Sequence, residues 1–467
     1  MPTRTRIALL CAALALAVSL PALRNDFAID DLYVFVEQPV AHSLRNIPRF
    51  FSGSWGGGTT DVKERVLGAR YYRPLPTTLG AVEYAVFGLR PAGFHLTSAL
   101  LHAATSALVA LLLWQLTGGA VTAVLLGGLV FAVHPAQSEA FCAACYQTTL
   151  LAGFFGTLTL LVFGRVLERG ASWPRLVGLG ATLLCALLSK EEAFAIPFLA
   201  TAWAMLVRPP GWQRALGLGL LPMAVVVSVA FALRHAFVSI SPVTYFGTEP
   251  ARVVAWTMVR VAALYFELLL LPLRFCPFYD WFIIGYERGP SLMALTGAAV
   301  LLVAVVAFVL YARRAPRIAL GIAWMLLALL PVSQIAPIIV VAAERFLYIP
   351  MLGFSLLAGL ALHRAIAWAG ARGWRRPAVA AAALLLSMAA ARTVARVPDW
   401  RNDETINRAT ARAFPETPTP LLNLASYYTR MGEPDKALGA LDEAERRIPG
   451  WRPALAFRAR LLQRASR

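Results

Sequence analysis

The sequence predicts an all-α polytopic membrane protein, with about eleven transmembrane helices followed by a short α-helical repeat segment. Three observations predict it. The 467 residues are 59% hydrophobic and only 15% charged, with a mean hydropathy of +0.64, too few polar residues to coat a soluble globule of this size. The apolar residues come in runs of spanning length separated by short clusters of arginine. After Arg396 the composition changes to that of a soluble segment.

Taken in order, Arg4 and Arg6 precede an apolar run from Ile7 to Leu23. It resembles a signal peptide but lacks a small-x-small cleavage site before Arg24, and is read as an uncleaved first span with its N-terminus in the cytoplasm. Residues 24–92 then form a first external loop. It holds Asp30 and Asp31, Tyr71-Tyr72-Arg73-Pro74, and the run Trp55-Gly56-Gly57-Gly58. No Gly-Lys-Ser/Thr follows those glycines, so they read as a loop and not a nucleotide cradle.

Further spans are expected near 93–115, 119–134, 141–163, 174–189, 193–207, 215–233, 291–311, 318–336, 346–363 and 377–395. Four basic loops order them. Arg165, Arg169 and Arg175 fall in the first, Arg208 and Arg214 in the second, Arg313, Arg314 and Arg317 in the third, and Arg364, Arg372, Arg375 and Arg376 in the fourth. All four are expected in the cytoplasm. The apolar segment 253–275 would break that parity as a span, and Arg260 and Glu267 in its middle favour an interfacial or cavity-lining helix. The C-terminus then lies outside.

The net charge of +18 goes with arginines clustered between apolar runs in a positive-inside pattern, which argues against nucleic-acid binding. Cys11, Cys142, Cys145, Cys185 and Cys276 mostly fall inside apolar runs and form no disulfide framework; Cys142-x-x-Cys145 has no second pair and reads as packing, with no metal assigned.

In the soluble segment, Leu421, Leu424, Ala425, Tyr428, Gly432, Ala437, Leu441, Ala444 and Pro449 reproduce the tetratricopeptide spacing, small where two helices approach and large where they pack. The period of 34 recurs between Pro415 and Pro449 and from Leu421 to Leu455. One full repeat between partial ones is expected to position a protein partner, not to carry chemistry.

With this topology four ionisable clusters reach the outer face: Asp30 and Asp31; His134 with Glu139; Lys190 with Glu191 and Glu192; and Glu344 with Arg345. Each ionisable group at membrane depth costs about 2.5–3.5 kcal/mol unless it pairs or lines a wet cavity. Their convergence reads as an active site. In the bland alternative, Lys190 and Arg345 snorkel and pair with their neighbours Glu191 and Glu344. A sugar on a polyprenyl phosphate brings its own good leaving group, so one carboxylate acting as base on an acceptor hydroxyl suffices, while fixed cations such as Lys190 and Arg345 hold the phosphate.

Several motifs carry a family resemblance: Phe27-Ala28-Ile29-Asp30-Asp31, Tyr72-Arg73-Pro74-Leu75, Phe94-His95-Leu96 with His102, His134-Pro135-x-x-Ser138-Glu139-Ala140, Leu188-Ser189-Lys190-Glu191 and Ala343-Glu344-Arg345-Phe346-Leu347-Tyr348-Ile349-Pro350. In this order they resemble the transmembrane and tetratricopeptide-repeat O-mannosyltransferases and their bacterial relatives in the GT-C glycosyltransferase superfamily. The resemblance implies a GT-C type transmembrane domain over 1–396 and an extracytoplasmic repeat segment over 397–467. It implies a polyprenyl-phosphate-linked sugar as donor substrate, with mannose one candidate, and inverting transfer to a hydroxyl on a protein or glycan. It places the catalytic acid in the first external loop, at Asp30 or Asp31, with Asp30 favoured because the first acid of the pair lines up with the family's position. Glu139 is then a supporting acid, Lys190 and Arg345 bind the donor phosphate, and Arg73, His134, Glu191, Glu344 and Tyr348 support them. No cofactor beyond the donor is assigned. The repeat array is far shorter than the family's long ones. Alanine and arginine richness points to a bacterial inner membrane, with the C-terminus in the periplasm.

Two readings from other classes stand beside this one. A transporter would show two similar halves and broken helices near the midplane, which the sequence lacks. A membrane-anchored scaffold would leave the costly polar residues without a role.

Overall fold

A computed structural model describes residues 1–52, 71–237 and 245–465. The glycine run at 55–58 lies outside them. The regular structure among the described residues is all helix, with no strand. The helices are α1 (Thr3–Ser19), α2 (Pro74–Phe87), α3 (Pro91–Thr117), α4 (Val121–Val133), α5 (Gln147–Arg169), α6 (Trp173–Leu187), α7 (Ile196–Val207), α8 (Trp212–Phe237) and α9 (Ala251–Leu270). They continue as α10 (Leu292–Arg314), α11 (Pro316–Leu329), α12 (Met351–Gly370), α13 (Arg375–Arg396), α14 (Asp403–Ala413), α15 (Thr419–Arg430), α16 (Pro434–Arg447) and α17 (Arg452–Ala465). Prolines open α2, α3 and α11, where a missing N–H costs nothing.

Among the described residues eight helices are long and apolar enough to cross a membrane, or nine if α4 and the bent turn after it form one span. Eleven are reached only by adding the shorter α6, α7 and α11 and setting α9 aside. By length and composition α9 qualifies as a span. Both of its ends contact neighbouring segments. The Leu269 carbonyl bonds the His134 ring at 3.0 Å. Before its other end, Glu249 pairs with Arg288 at 3.2 Å and the Tyr245 N–H donates to the Ile338 carbonyl at 3.2 Å. Midway, Arg260 bonds Glu287 and the Ile283 carbonyl, both at 2.8 Å, so its charge is met by the following loop.

Close approach of backbones substitutes for hydrophobic driving force between helices in lipid. A Cβ on Gly127 of α4 would lie 2.6 Å from the Ser355 carbonyl of α12, and one on Gly359 of α12 would lie 2.4 Å from the Ala123 carbonyl. Small residues are therefore required at that crossing. At the end of the bundle opposite the polar clusters, Arg317 donates to the Leu116 carbonyl at 2.6 Å and Arg175 to the Gly170 carbonyl at 2.6 Å. Two of the basic loops thus tie down helix ends there.

The segment after α13 has its own apolar core, made by Leu421, Leu424, Ala425 and Tyr428 of α15, Ala437, Leu441 and Ala444 of α16, and Ala454 and Leu461 of α17. Gly432, at φ +73°, turns the chain between α15 and α16, a conformation glycine adopts freely. This unit docks on the loop after α9. Thr417 donates to Asp280 at 2.6 Å, Arg274 pairs with Glu416 at 3.1 Å, and the Phe282 and Trp451 rings meet edge to face at 5.8 Å.

Candidate active site

The loop from Asn25 to Asp31 leaves α1 and is pinned on both sides. The Asn25 amide donates to the Val397 carbonyl at 3.1 Å, and the Asp26 N–H donates to the Arg401 carbonyl at 2.8 Å. Phe27, Phe35 and Phe94 form a ring cluster beneath it, with centroids 4.8–5.9 Å apart.

The two adjacent aspartates have different surroundings. Asp31 is fully buried and accepts from the N–H groups of Cys145 at 2.7 Å, Ala144 at 3.3 Å and Ala28 at 3.4 Å. Burial pushes its carboxyl up to about 7, against those three donors, which favour the ionised form. Asp30 is half-buried and lies within electrostatic reach of Arg345 and Tyr146.

Arg345 is held by Glu139. The Arg345 N–H donates to one carboxylate oxygen at 2.6 Å and its guanidinium pairs with the other. The same guanidinium lies over the Tyr146 ring at 4.2 Å and beside the Phe346 ring at 5.4 Å. Burial would lower its pKa, but Glu139, then Tyr146 and Asp30, more than offset that and raise it. Glu139 is fully buried, with both carboxylate oxygens engaged by Arg345.

Lys190 also lies near the Phe346 ring, 5.3 Å from its centroid. It pairs with Glu192 at 2.6 Å and donates to the Thr149 hydroxyl at 2.7 Å. Burial pulls the Lys190 amine down to about 8, while Glu192 acts to hold it up. Glu191 instead takes Arg73 at 2.6 Å and also Arg234. Burial alone would raise that carboxyl, but the two guanidinia hold it well below the usual carboxylate range.

These pairings differ from the neighbouring pairs Lys190–Glu191 and Arg345–Glu344 that simple snorkelling would give. Each cation takes a different partner, and Arg345 and Arg73 reach across the chain to theirs. Glu344 accepts from the Cys276 N–H at 2.7 Å and the Tyr279 hydroxyl at 3.4 Å, and burial pushes it up to about 8, against Arg396. His134 caps the turn after α4, accepting from the Ala136 N–H at 3.2 Å, and Tyr348 bonds His102 at 3.0 Å inside the helix core. Both are buried. Among the described residues no cluster of three metal-ligating side chains occurs.

Sequence reasoning missed Thr149, Tyr146 and Arg234. None has a local signal. Glu192 was visible beside Lys190 but had no feature to rank it above Glu191.

No family model matches the chain. Curated relatives do. Protein O-mannosyl-transferase TMTC2 of Mus musculus is 28% identical over 253 residues, 51% of this chain and 28% of the relative. Protein O-mannosyl-transferase Tmtc3 of Drosophila melanogaster is 24% identical over 425 residues, 76% of this chain and 45% of the relative. Over those stretches the chain is similar to these O-mannosyl-transferases. It spans less than half the length of either of these two. Among solved structures, ArnT from Cupriavidus metallidurans bound to undecaprenyl phosphate aligns over 94% of this chain and 75% of its own, at 17% identity and a TM-score of 0.44.

Proposed function

We propose that the chain is an inverting glycosyltransferase that moves a sugar from a polyprenyl phosphate to an acceptor hydroxyl, with Asp30 as base. The observation that carries this reading is the division of labour in the aspartate pair. Asp31 is engaged by three backbone donors, while Asp30 is half-buried within electrostatic reach of Arg345. Homology to O-mannosyl-transferases supports the reaction class and makes mannose the first sugar to test.

In the reaction, Asp30 takes the proton of the acceptor hydroxyl as its oxygen attacks the anomeric carbon from the face opposite the leaving group. The carbon–oxygen bond to the phosphate breaks, and the polyprenyl phosphate departs with the electron pair. Configuration inverts because there is a single displacement. Arg345 and Lys190, both near the Phe346 ring, are fixed by Glu139 and Glu192 before the donor arrives, so the charge growing on the phosphate meets preorganised cations. Glu139 and Glu192 fix those cations and Asp31 fixes the loop.

The separation of the polar clusters from the arginine-rich loops supports, by the positive-inside rule, a site outside the cytoplasm. A bacterial inner membrane with the repeat segment in the periplasm fits that orientation. The C-terminal tetratricopeptide segment holds a protein partner or the acceptor. The reading is tested by reconstituting the full chain in proteoliposomes with polyprenyl-phosphate mannose and following donor consumption together with release of polyprenyl phosphate. Consumption that depends on an added hydroxyl acceptor supports it; a donor that stays intact with every sugar tried overturns it.

A further inference from the structure

Ile29, immediately before Asp30, has a φ of +54°. A β-branched residue in the left-handed region is a genuine outlier and persists only where its surroundings over-determine it. The surroundings here come from the C-terminal segment. The Ile29 N–H donates to the Asp403 carboxylate in the first turn of α14. The other oxygen of that carboxylate pairs with Arg430 at the end of α15. The chain just before α14 holds Asn25 and Asp26 through the Val397 and Arg401 carbonyls. On the far side of Asp30, Asp31 is locked against Cys145. Asp30 is thus presented by a strained bend whose clamp belongs to the helical repeat.

We propose that Asp403, held by Arg430, is a positioning residue that aims Asp30 and couples the repeat segment to turnover. The inference rests on the role given to Asp30 above. Its chemistry is simple. A carboxylate that accepts the Ile29 N–H keeps that amide turned away from the extended conformation an isoleucine otherwise prefers, and Arg430 keeps the carboxylate in place. The expectation that the repeat segment only positions a partner is thereby revised. Cutting the chain at residue 416 removes Arg430, so transfer to a small acceptor slows as well as transfer to a large one.

The test is a double-mutant cycle on the full chain in proteoliposomes, with polyprenyl-phosphate mannose and a small hydroxyl acceptor. Asp403→Ala lowers kcat by about tenfold with the KM for donor unchanged, and Arg430→Gln lowers it in the same way but less. Glycine takes positive φ without strain. In an Ile29→Gly background, Asp403→Ala therefore costs no more than about threefold relative to Ile29→Gly alone, a non-additivity that simple misfolding does not produce. Equal losses in both backgrounds, or a loss confined to donor KM, overturn the proposal. Hydrogen exchange gives a readout that does not depend on turnover. The Ile29 amide is protected in the parent chain and exchanges faster in Asp403→Ala, and unchanged protection overturns the clamp whatever reaction the protein performs. Asp30→Asn run alongside separates the two failures. If it is inactive while Asp403→Ala is at full rate, the clamp falls and the role of Asp30 stands. If Asp30→Asn is itself active, the base assignment has failed and the clamp, stated as a device for aiming that base, falls with it.

Discussion

Glu139 accepts both the backbone N–H and the guanidinium of Arg345, a residue 206 positions further along the chain. A carboxylate wholly buried against a single arginine fixes where that charge points. Breaking such a pair by removing one partner leaves an uncompensated buried charge, at a cost of about 3–5 kcal/mol. Glu139→Gln is therefore expected to release Arg345 and raise the KM for donor lipid. Arg345→Lys should rescue little, because an ammonium cannot keep both the Glu139 contact and the stacking on Tyr146. Steady-state donor kinetics on inserted, purified variants check this; an unchanged KM in both would assign the pair to folding alone.

Lys190 gives a pH dependence with a definite sign. Burial pulls its amine down to about 8, so the charge proposed to hold phosphate is present below that value and is lost as pH rises through it. The KM for donor is expected to climb above about pH 8 in the parent chain. Lys190→Arg, which stays charged, should move that rise to higher pH even if it lowers affinity overall. A profile that is the same in both proteins would detach Lys190 from the phosphate.

Asp31 is expected to govern stability and not chemistry. Its folded carboxyl is raised from 3.8 to about 7, so the stability it contributes is fully present at the low end and is lost as pH rises through that window. Asp31→Ala leaves three buried N–H groups without their acceptor, each worth about 1–3 kcal/mol. Thermal unfolding in detergent should show a lower midpoint for Asp31→Ala and a flatter pH dependence between about pH 4 and 7. A midpoint matching the parent at every pH would show that the loop is held by other means.

Much of this was legible because membrane chemistry narrows the choices. Apolar runs of spanning length have to be helices, and arginine-rich loops order their ends. Asp30, Arg345 and Lys190 stood out for the same reason, since ionisable groups there are costly and so are few. The partners were not legible. Glu139–Arg345 and Arg73–Glu191 join residues far apart in sequence, and no local pattern records which helix lies beside which. Ile29 gave no sign of its bend either, because an isoleucine in isolation avoids positive φ; the cause lies in Asp403. The status of α9 needed the structure too. Its sequence satisfies the requirements of a span, and only the structure shows its Leu269 carbonyl on the His134 ring and Tyr245, before its start, on the Ile338 carbonyl.

The central claim is that Asp30 is the base. Asp30→Asn keeps the shape of the side chain and removes its capacity to take a proton, so the measurement is single-turnover transfer from polyprenyl-phosphate mannose by this variant, with donor binding determined in the same membranes. The account predicts that the rate falls by a factor of about 10²–10⁴ while donor binding and insertion match the parent chain. Near-normal transfer by Asp30→Asn would contradict it.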